Sequence, residues 1–225
     1  MVNVVDDTLQ GRYAALQAER QRTWSAAQLA GNARQRQILV DRFDPTAIVQ
    51  SGDALPDFSF AEVDGGSLSL TGLVAQAPVL LIFFRFAGCP ACNIALSYYA
   101  EHLYPALSKL GVAIVALSPQ RTDRLVEIKK RHQLPFWVAS DHDNGLGRHI
   151  GITFEPDDRP TPLPAGWIGE VTGTNSWELP QPTILLVGAG REVRWVHVSP
   201  DWLDRPEAGD IVREVEAATG VRRAA

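Results

Sequence analysis

The sequence predicts an α/β domain, a mixed central β-sheet with helices on both faces, preceded by a helical extension. Three observations predict it. Val79-Leu-Leu-Ile-Phe-Phe and Val112-Ala-Ile-Val-Ala-Leu are continuous apolar runs, as expected of central strands covered on both faces. Between and after them, apolar residues recur at helical spacing, so strands and helices alternate. The alternation ends in a strand at 183–187, a Gly188-Ala-Gly190 turn, a returning strand at 191–198 and an amphipathic helix at 209–219. With 225 residues, 45% of them hydrophobic and 21% charged, the chain has the composition of an ordinary globular protein with a sizeable core.

Residues 7–40 are polar-rich and proline-free, with Leu9, Tyr13, Leu16, Trp24 and Leu29 at three- and four-residue steps. Asp7 or Thr8 caps the start and Gly31-Asn32 is a stop signal, which predicts one helix followed by a shorter one. We assign residues 1–48 to this extension, packed on the domain or on a second subunit of a homodimer, and 49–225 to the domain itself. Phe58-Ser-Phe-Ala-Glu-Val alternates like a half-buried strand, and Asp64-Gly65-Gly66 turns it into Ser67-Leu-Ser-Leu. The 79–84 strand is interrupted at Gly88-Cys-Pro, after which residues 93–110 have helical spacing up to Gly111. Ser118-Pro119 ends the next strand, Asp123 caps a helix to about Arg131, and Phe136-Trp-Val-Ala is a short third strand. A short helix is predicted over 144–150. Residues 154–182 carry six of the fifteen prolines and read as a long loop of the kind that serves as a lid.

A net charge of -5 argues against a nucleic-acid groove or an anionic membrane surface as partner. The opening Met1-Val-Asn-Val-Val-Asp-Asp has neither the charged nor the apolar part of a leader, and no apolar run could span a bilayer, so a cytoplasmic protein is expected. Its two cysteines lie three apart. In a reducing compartment such a pair is redox-active or metal-binding rather than a structural staple.

Cys89-Pro90-Ala91-Cys92 stands where a buried strand runs into a helix. A nucleophilic thiolate needs a lowered pKa and access, and a helix N-terminus offers both. Gly88 allows close approach, Pro90 suits the first helical position, and Cys92 follows one turn on, within disulfide reach of Cys89. Two buried, inert cysteines would be the bland alternative. A zinc site would need two more ligands, and no second cysteine pair or closely spaced histidine pair exists, so neither metal nor other cofactor is expected. Arg85, on the strand leading to Cys89, either lowers a thiolate pKa or points to the opposite face. Leu179-Pro-Gln-Pro-Thr183 marks the entry to the last central strand, since proline cannot sit inside a paired one.

With these residues placed, the chain resembles the peroxiredoxin-like branch of the alkyl hydroperoxide reductase/thiol-specific antioxidant family over about residues 50–218. The resemblance is carried by Gly52-Asp-Ala-Leu-Pro-Asp-Phe, Phe83-Phe-Arg-Phe-Ala-Gly-Cys-Pro-Ala-Cys-Asn, Ala116-Leu-Ser-Pro-Gln, Ser140-Asp with Asn144, and Ser176-Trp-Glu-Leu-Pro-Gln-Pro-Thr. It implies a thioredoxin-like fold, reduction of hydroperoxides, and electrons returned by thioredoxin. It also implies a cis peptide before Pro182, with that proline in the substrate pocket facing the cysteines. Two departures stand out. The family's Pro, Thr or Ser, and peroxidatic Cys fall on Arg85, Cys89 and Cys92, and no arginine lies within 178–183, near where a later one would enter. The thioredoxin template instead makes Cys89 the nucleophile and Cys92 the resolver, and exposure at the helix start favours that order.

The expected activity is therefore a thiol peroxidase acting on hydrogen peroxide or organic hydroperoxides, with a Cys89–Cys92 disulfide as the oxidised form. The alternatives are an oxidoreductase for protein disulfides and a non-enzymatic redox-responsive module. Asp141-His-Asp-Asn-Gly145 resembles a calcium loop, but its twelfth position is Ile152, so a turn and helix cap is expected. His102 is expected at the solvent.

Overall fold

The computed structural model describes residues 7–157 and 159–220. Residues 1–6, on which the leader expectation rests, lie outside the described residues, as does Asp158 of the proline-rich stretch.

Two helices open the chain, α1 (Leu9–Thr23) and α2 (Ala26–Arg42). Thr8 is the cap of α1, its hydroxyl accepting from the Gly11 N–H. Ser25 and Gln28 form a reciprocal capping box at the start of α2. The expected stop at Gly31-Asn32 does not occur. A terminating glycine adopts a left-handed φ, and Gly31 is not among the residues that do. α2 is consequently longer than α1, not shorter.

Strands β1 (Ser59–Glu62) and β2 (Ser67–Ser69) form a hairpin whose turn places Gly65 at φ +111° and Gly66 at +88°. A helix absent from the sequence reading, α3 (Leu70–Gln76), starts directly on Ser69, whose hydroxyl caps the Gly72 N–H. β3 (Val79–Phe83) leads to α4 (Pro90–Tyr98), then a π turn (Tyr99–Leu103), α5 (Tyr104–Lys109), β4 (Ala113–Ser118), α6 (Thr122–His132) and β5 (Trp137–Ser140). The predicted 93–110 helix is broken by that π turn for an identifiable reason. Pro105 has no N–H to give to the Glu101 carbonyl, and its ring would collide with that carbonyl in a regular helix. α7 (Gly145–His149) is capped by Asp141, whose carboxylate accepts from the Leu146 and Gly147 N–H groups at 2.9 Å, so the 141–145 stretch is the expected helix cap.

The 154–182 stretch is not one continuous loop. β6 (Thr153–Phe154) pairs with β7 (Leu179–Pro180), and α8 (Ile168–Thr172) lies between them. β8 (Thr183–Val187), β9 (Val193–Val198) and α9 (Ala208–Thr219) complete the chain.

The main sheet has seven strands in the order β2-β1-β5-β4-β3-β8-β9, parallel between β3, β4 and β5 and antiparallel elsewhere. Alternation along β3 builds two cores. Leu80 and Ile82, followed by Phe84, face a core that takes in α4, α6, α9 and both cysteines, whereas Val79, Leu81 and Phe83 face one shared with α3 and α7. Leu9, Tyr13 and Leu39 of the opening helices are buried in the cysteine-side core. α1 thus packs on this chain's own α4.

Candidate active site

The turn between β3 and α4 is held by side chains rather than by strand pairing. Gln120 donates from Nε2 to the Val171 carbonyl and accepts the Ala87 N–H at 2.8 Å, and Ser118 donates to the Arg85 carbonyl at 3.0 Å. Asn93 reaches back to the Ala87 and Cys89 carbonyls at 2.7 and 2.8 Å. The Ser118 and Gln120 of the 116–120 motif thus brace the loop that carries the first cysteine.

Cys89 is the N-cap of α4 with Pro90 in its first turn, as expected, but its sulfur accepts no helix N–H. Both cysteines are free thiols and both are buried, Cys89 at 4% exposure and Cys92 at 0%. α1 contributes to this closure, for Tyr13 donates its hydroxyl to the Ala91 carbonyl inside the motif at 3.3 Å.

Arg205 is the functional residue that sequence reasoning missed. It lies between β9 and α9, is 4% exposed, and donates from Nη2 to the Cys92 sulfur at 3.4 Å while its Nε holds the Trp202 carbonyl at 3.1 Å. Among the described residues no carboxylate forms an ion pair with it. A buried guanidinium calls for a negative partner, and the Cys92 sulfur is the acceptor it faces. Arg205 itself is fastened by Gln10, which donates to its carbonyl, and by Tyr99, which donates to the Pro206 carbonyl.

The electrostatics divide the pair. Burial pushes the Cys92 thiol up, but the hydrogen bond from Cys89, the Arg205 charge and hydrogen bond, and the Arg85 backbone N–H together carry it well below its ordinary value. The Cys89 thiol moves well above its ordinary value, first through its hydrogen bond to Cys92 and then through burial, with Arg85 and Arg205 only partly opposing. These directions run against the expectation that Cys89, at the helix start, is the low-pKa thiol. The position exists, but its helix amides do not reach the Cys89 sulfur, and the buried cation touches the other one.

Arg85 faces the cysteine side. Its guanidinium lies 4.6 Å from the Trp202 ring centroid and 5.9 Å from that of Phe154, and its charge acts on Cys89. Its Nε is buried with no hydrogen-bond partner. Pro182 is buried at the head of β8, its carbonyl accepting from the Ser199 N–H at 2.8 Å, and it shares a small cavity with Tyr99 and Arg205. The expected cis peptide before it is not found: among the described residues the one cis bond is Thr161–Pro162. β8 pairs from Thr183 onward with Phe83 and Val198, so Pro182 stands just outside the paired register.

His102, Glu101 and Asp7 bring potential metal-ligand atoms within 4.8 Å of one another at the surface, but Arg12 bridges both carboxylates, which makes this a surface ion network.

The alkyl hydroperoxide reductase/thiol-specific antioxidant (AhpC/TSA) family model matches residues 51–196. The chain belongs to the AhpC/TSA family. Among its relatives are peroxiredoxin Bcp of Escherichia coli K12, 27% identical over 104 residues covering 46% of this chain and 65% of that protein, and the chloroplastic peroxiredoxin Q of Oryza sativa subsp. japonica, 27% identical over 104 residues covering 46% and 47%. The match thus spans about half to two thirds of these relatives' length. Peroxidoxin BcpB from Mycobacterium tuberculosis superposes with a TM-score of 0.59 at 17% identity, over 75% of this chain and 97% of that one. A cysteine variant of PrxQ from Xylella fastidiosa gives 0.60 at 12% identity, over 76% and 98%. At these identities the structural likeness establishes the fold, which is thioredoxin-like, as the resemblance implied. Within the AhpC/TSA match lie both cysteines, Arg85 and Pro182; Arg205 lies beyond its end.

Proposed function

We propose that the chain is a thiol peroxidase in which Cys92 attacks the hydroperoxide and Cys89 resolves it. One observation carries this reading: the buried Arg205 guanidinium donates to the Cys92 sulfur at 3.4 Å. The Cys92 thiolate attacks the terminal peroxide oxygen, an S–O bond forms, the O–O bond breaks, and the alkoxide or hydroxide leaves. The proton held on Cys89 goes to that leaving group. The resulting Cys89 thiolate attacks the Cys92 sulfenic acid, forming the disulfide and expelling hydroxide, which takes up one proton from the buffered solvent as water, matching the proton that Cys92 gave up on ionising. An external dithiol of the thioredoxin type, in a reducing compartment such as the cytoplasm, returns two electrons. Arg85 and Arg205 stabilise the charge that develops on the departing oxygen, and Pro182, next to Arg205 across the small cavity, bounds the substrate pocket.

The test is a stopped-flow reaction of the reduced protein with hydrogen peroxide. Cys89→Ser reacts once and leaves a sulfenic acid that a dimedone-type reagent traps, and Cys92→Ser is inert. The reverse pattern would assign the attack to Cys89.

A second reading, an oxidoreductase for protein disulfides, is favoured by the Cys-Pro-Ala-Cys pair at a helix start, with cysteine where the family has Thr. The burial of both sulfurs weighs against it, because a protein disulfide must reach the attacking sulfur. Fast exchange with an oxidised protein substrate and no peroxide reaction would establish this reading instead.

A further inference from the structure

A cavity of 260 Å³ lies between α2 and the 154–179 segment. α2 supplies Ile38 to its wall, the segment supplies Phe154, Ile168 and Trp177, and Trp202 comes from the loop before α9. Neither cysteine lines it, so what sits there does not meet either sulfur. Ile38 and Trp202 both fall outside the AhpC/TSA match, so the chamber is completed by parts of the chain outside the family domain.

Charge and wall together state what would fill it. Three arginines, Arg34, Arg42 and Arg85, line the chamber against two carboxylates, Glu155 and Asp157. Asp157 is taken by Arg42 and Glu155 by Arg159. Arg85 forms no ion pair among the described residues, and its Nε is a buried donor without an acceptor. Its guanidinium lies 4.6 Å from the Trp202 ring centroid and 5.9 Å from that of Phe154, so the cation is packed on the aromatic wall. A half-buried cation without an anion is costly, and the edge of a planar guanidinium matches a carboxylate, two N–H donors to two oxygens. The rest of the wall is mainly aliphatic and aromatic. An apolar cavity of about 150 Å³ already holds a benzene ring, so there is room here for an aryl or branched alkyl body.

We infer that this chamber binds a monocarboxylate with a compact apolar body, aryl or branched alkyl, its carboxylate on Arg85 and its body against Ile38, Ile168 and Trp177. Binding needs no reaction at the cysteines, so it holds whether or not the peroxidase reading does. Occupancy is nevertheless felt at the pair. The Arg85 charge favours the ionised form of Cys89, and a carboxylate on the guanidinium cancels that charge, so an occupied chamber makes the Cys89 thiol harder to ionise.

The experiment is isothermal titration calorimetry of the reduced full chain with 4-isopropylbenzoate and with 4-isopropylbenzyl alcohol, which has the same body and no charge. A hydrogen bond to a charged partner separates the two by about 10- to 150-fold in Kd, and the wild-type preference for the carboxylate is expected in that range. Arg85→Met and Arg85→Gln remove the charge in two ways, and each should bring the preference down to about one. Ile38→Trp and Ile168→Trp fill the chamber from opposite walls, so that one remains if the other misfolds, and either should weaken the carboxylate by about tenfold or more. Four results overturn the inference: no binding of either ligand, equal affinity for both, a preference that survives loss of the Arg85 charge, or an affinity that neither tryptophan variant lowers.

Discussion

Replacing Arg205 by methionine keeps much of the side-chain volume and removes the charge that faces Cys92. The guanidinium donates to the sulfur at 3.4 Å in a buried site, and a hydrogen bond to a charged partner contributes about 1.5–3 kcal/mol. Lost from the thiolate and not from the thiol, that amount lowers the population of attacking thiolate by about 10- to 150-fold wherever the thiol form then prevails. The Cys92 pKa is depressed in the folded protein. Its reactivity is therefore full above that pKa and is lost as pH falls through it. In Arg205→Met the acid limb should move upward, so the deficit is large at pH 7 and shrinks in alkaline buffer. Arg205→Lys keeps a point charge without the planar fork and should fall between. The assay is stopped-flow reaction with hydrogen peroxide over a pH series, paired with thiolate absorbance near 240 nm. If Arg205→Met reacts at the wild-type rate with an unmoved acid limb, the cation does not hold the thiolate and the assignment of Cys92 fails.

The same contact predicts an unusual stability pattern. Cys92→Ala leaves a buried guanidinium without its negative partner and should cost about 3–5 kcal/mol in denaturant unfolding, whereas Cys92→Ala with Arg205→Met should recover part of that loss. Glu207 accepts the Leu9 and Gln10 N–H groups at 3.0 Å each and the Tyr98 hydroxyl at 2.6 Å. Glu207→Ala should therefore cost about 2 kcal/mol and speed hydrogen exchange in α1 specifically. Equal exchange in both proteins would show that α1 is held by its packing alone.

Much of the sheet was legible because its strands announce themselves by burial on both faces. The runs beginning at Val79, Val112 and Thr183 became β3, β4 and β8, with ends displaced by a residue at most. The cysteine pair was legible for a related reason, since the strand before it and Pro90 after it define a helix start from local chemistry alone. What escaped the reading was decided by distant parts of the chain. Gly31 looks like a terminator, yet whether a glycine turns left-handed depends on what the next residues pack against. Arg205 looks like an ordinary surface cation. Only its neighbours Trp202, Leu203 and Pro206 hinted at a buried segment, and nothing local said that the segment folds back on Cys92. The contact on Cys92 escaped the reading for the same reason, because a helix N-terminus was visible in the sequence and a guanidinium from a distant loop was not.

The contact between Cys92 and Arg205 spans 113 positions of the chain, and that separation has a meaning for biosynthesis. At roughly 5–20 residues per second, the cysteines leave the ribosome about 6 to 23 seconds before the arginine that depresses the Cys92 pKa. Throughout that interval the pair is exposed to the cell as two ordinary thiols, and a thiol at its ordinary pKa is mostly protonated and slow toward oxidants. Reactivity is conferred last, when Arg205 docks and Glu207 closes on the first turn of α1. Under the proposed peroxidase function, a nascent chain is thus spared the oxidant that its finished form would consume.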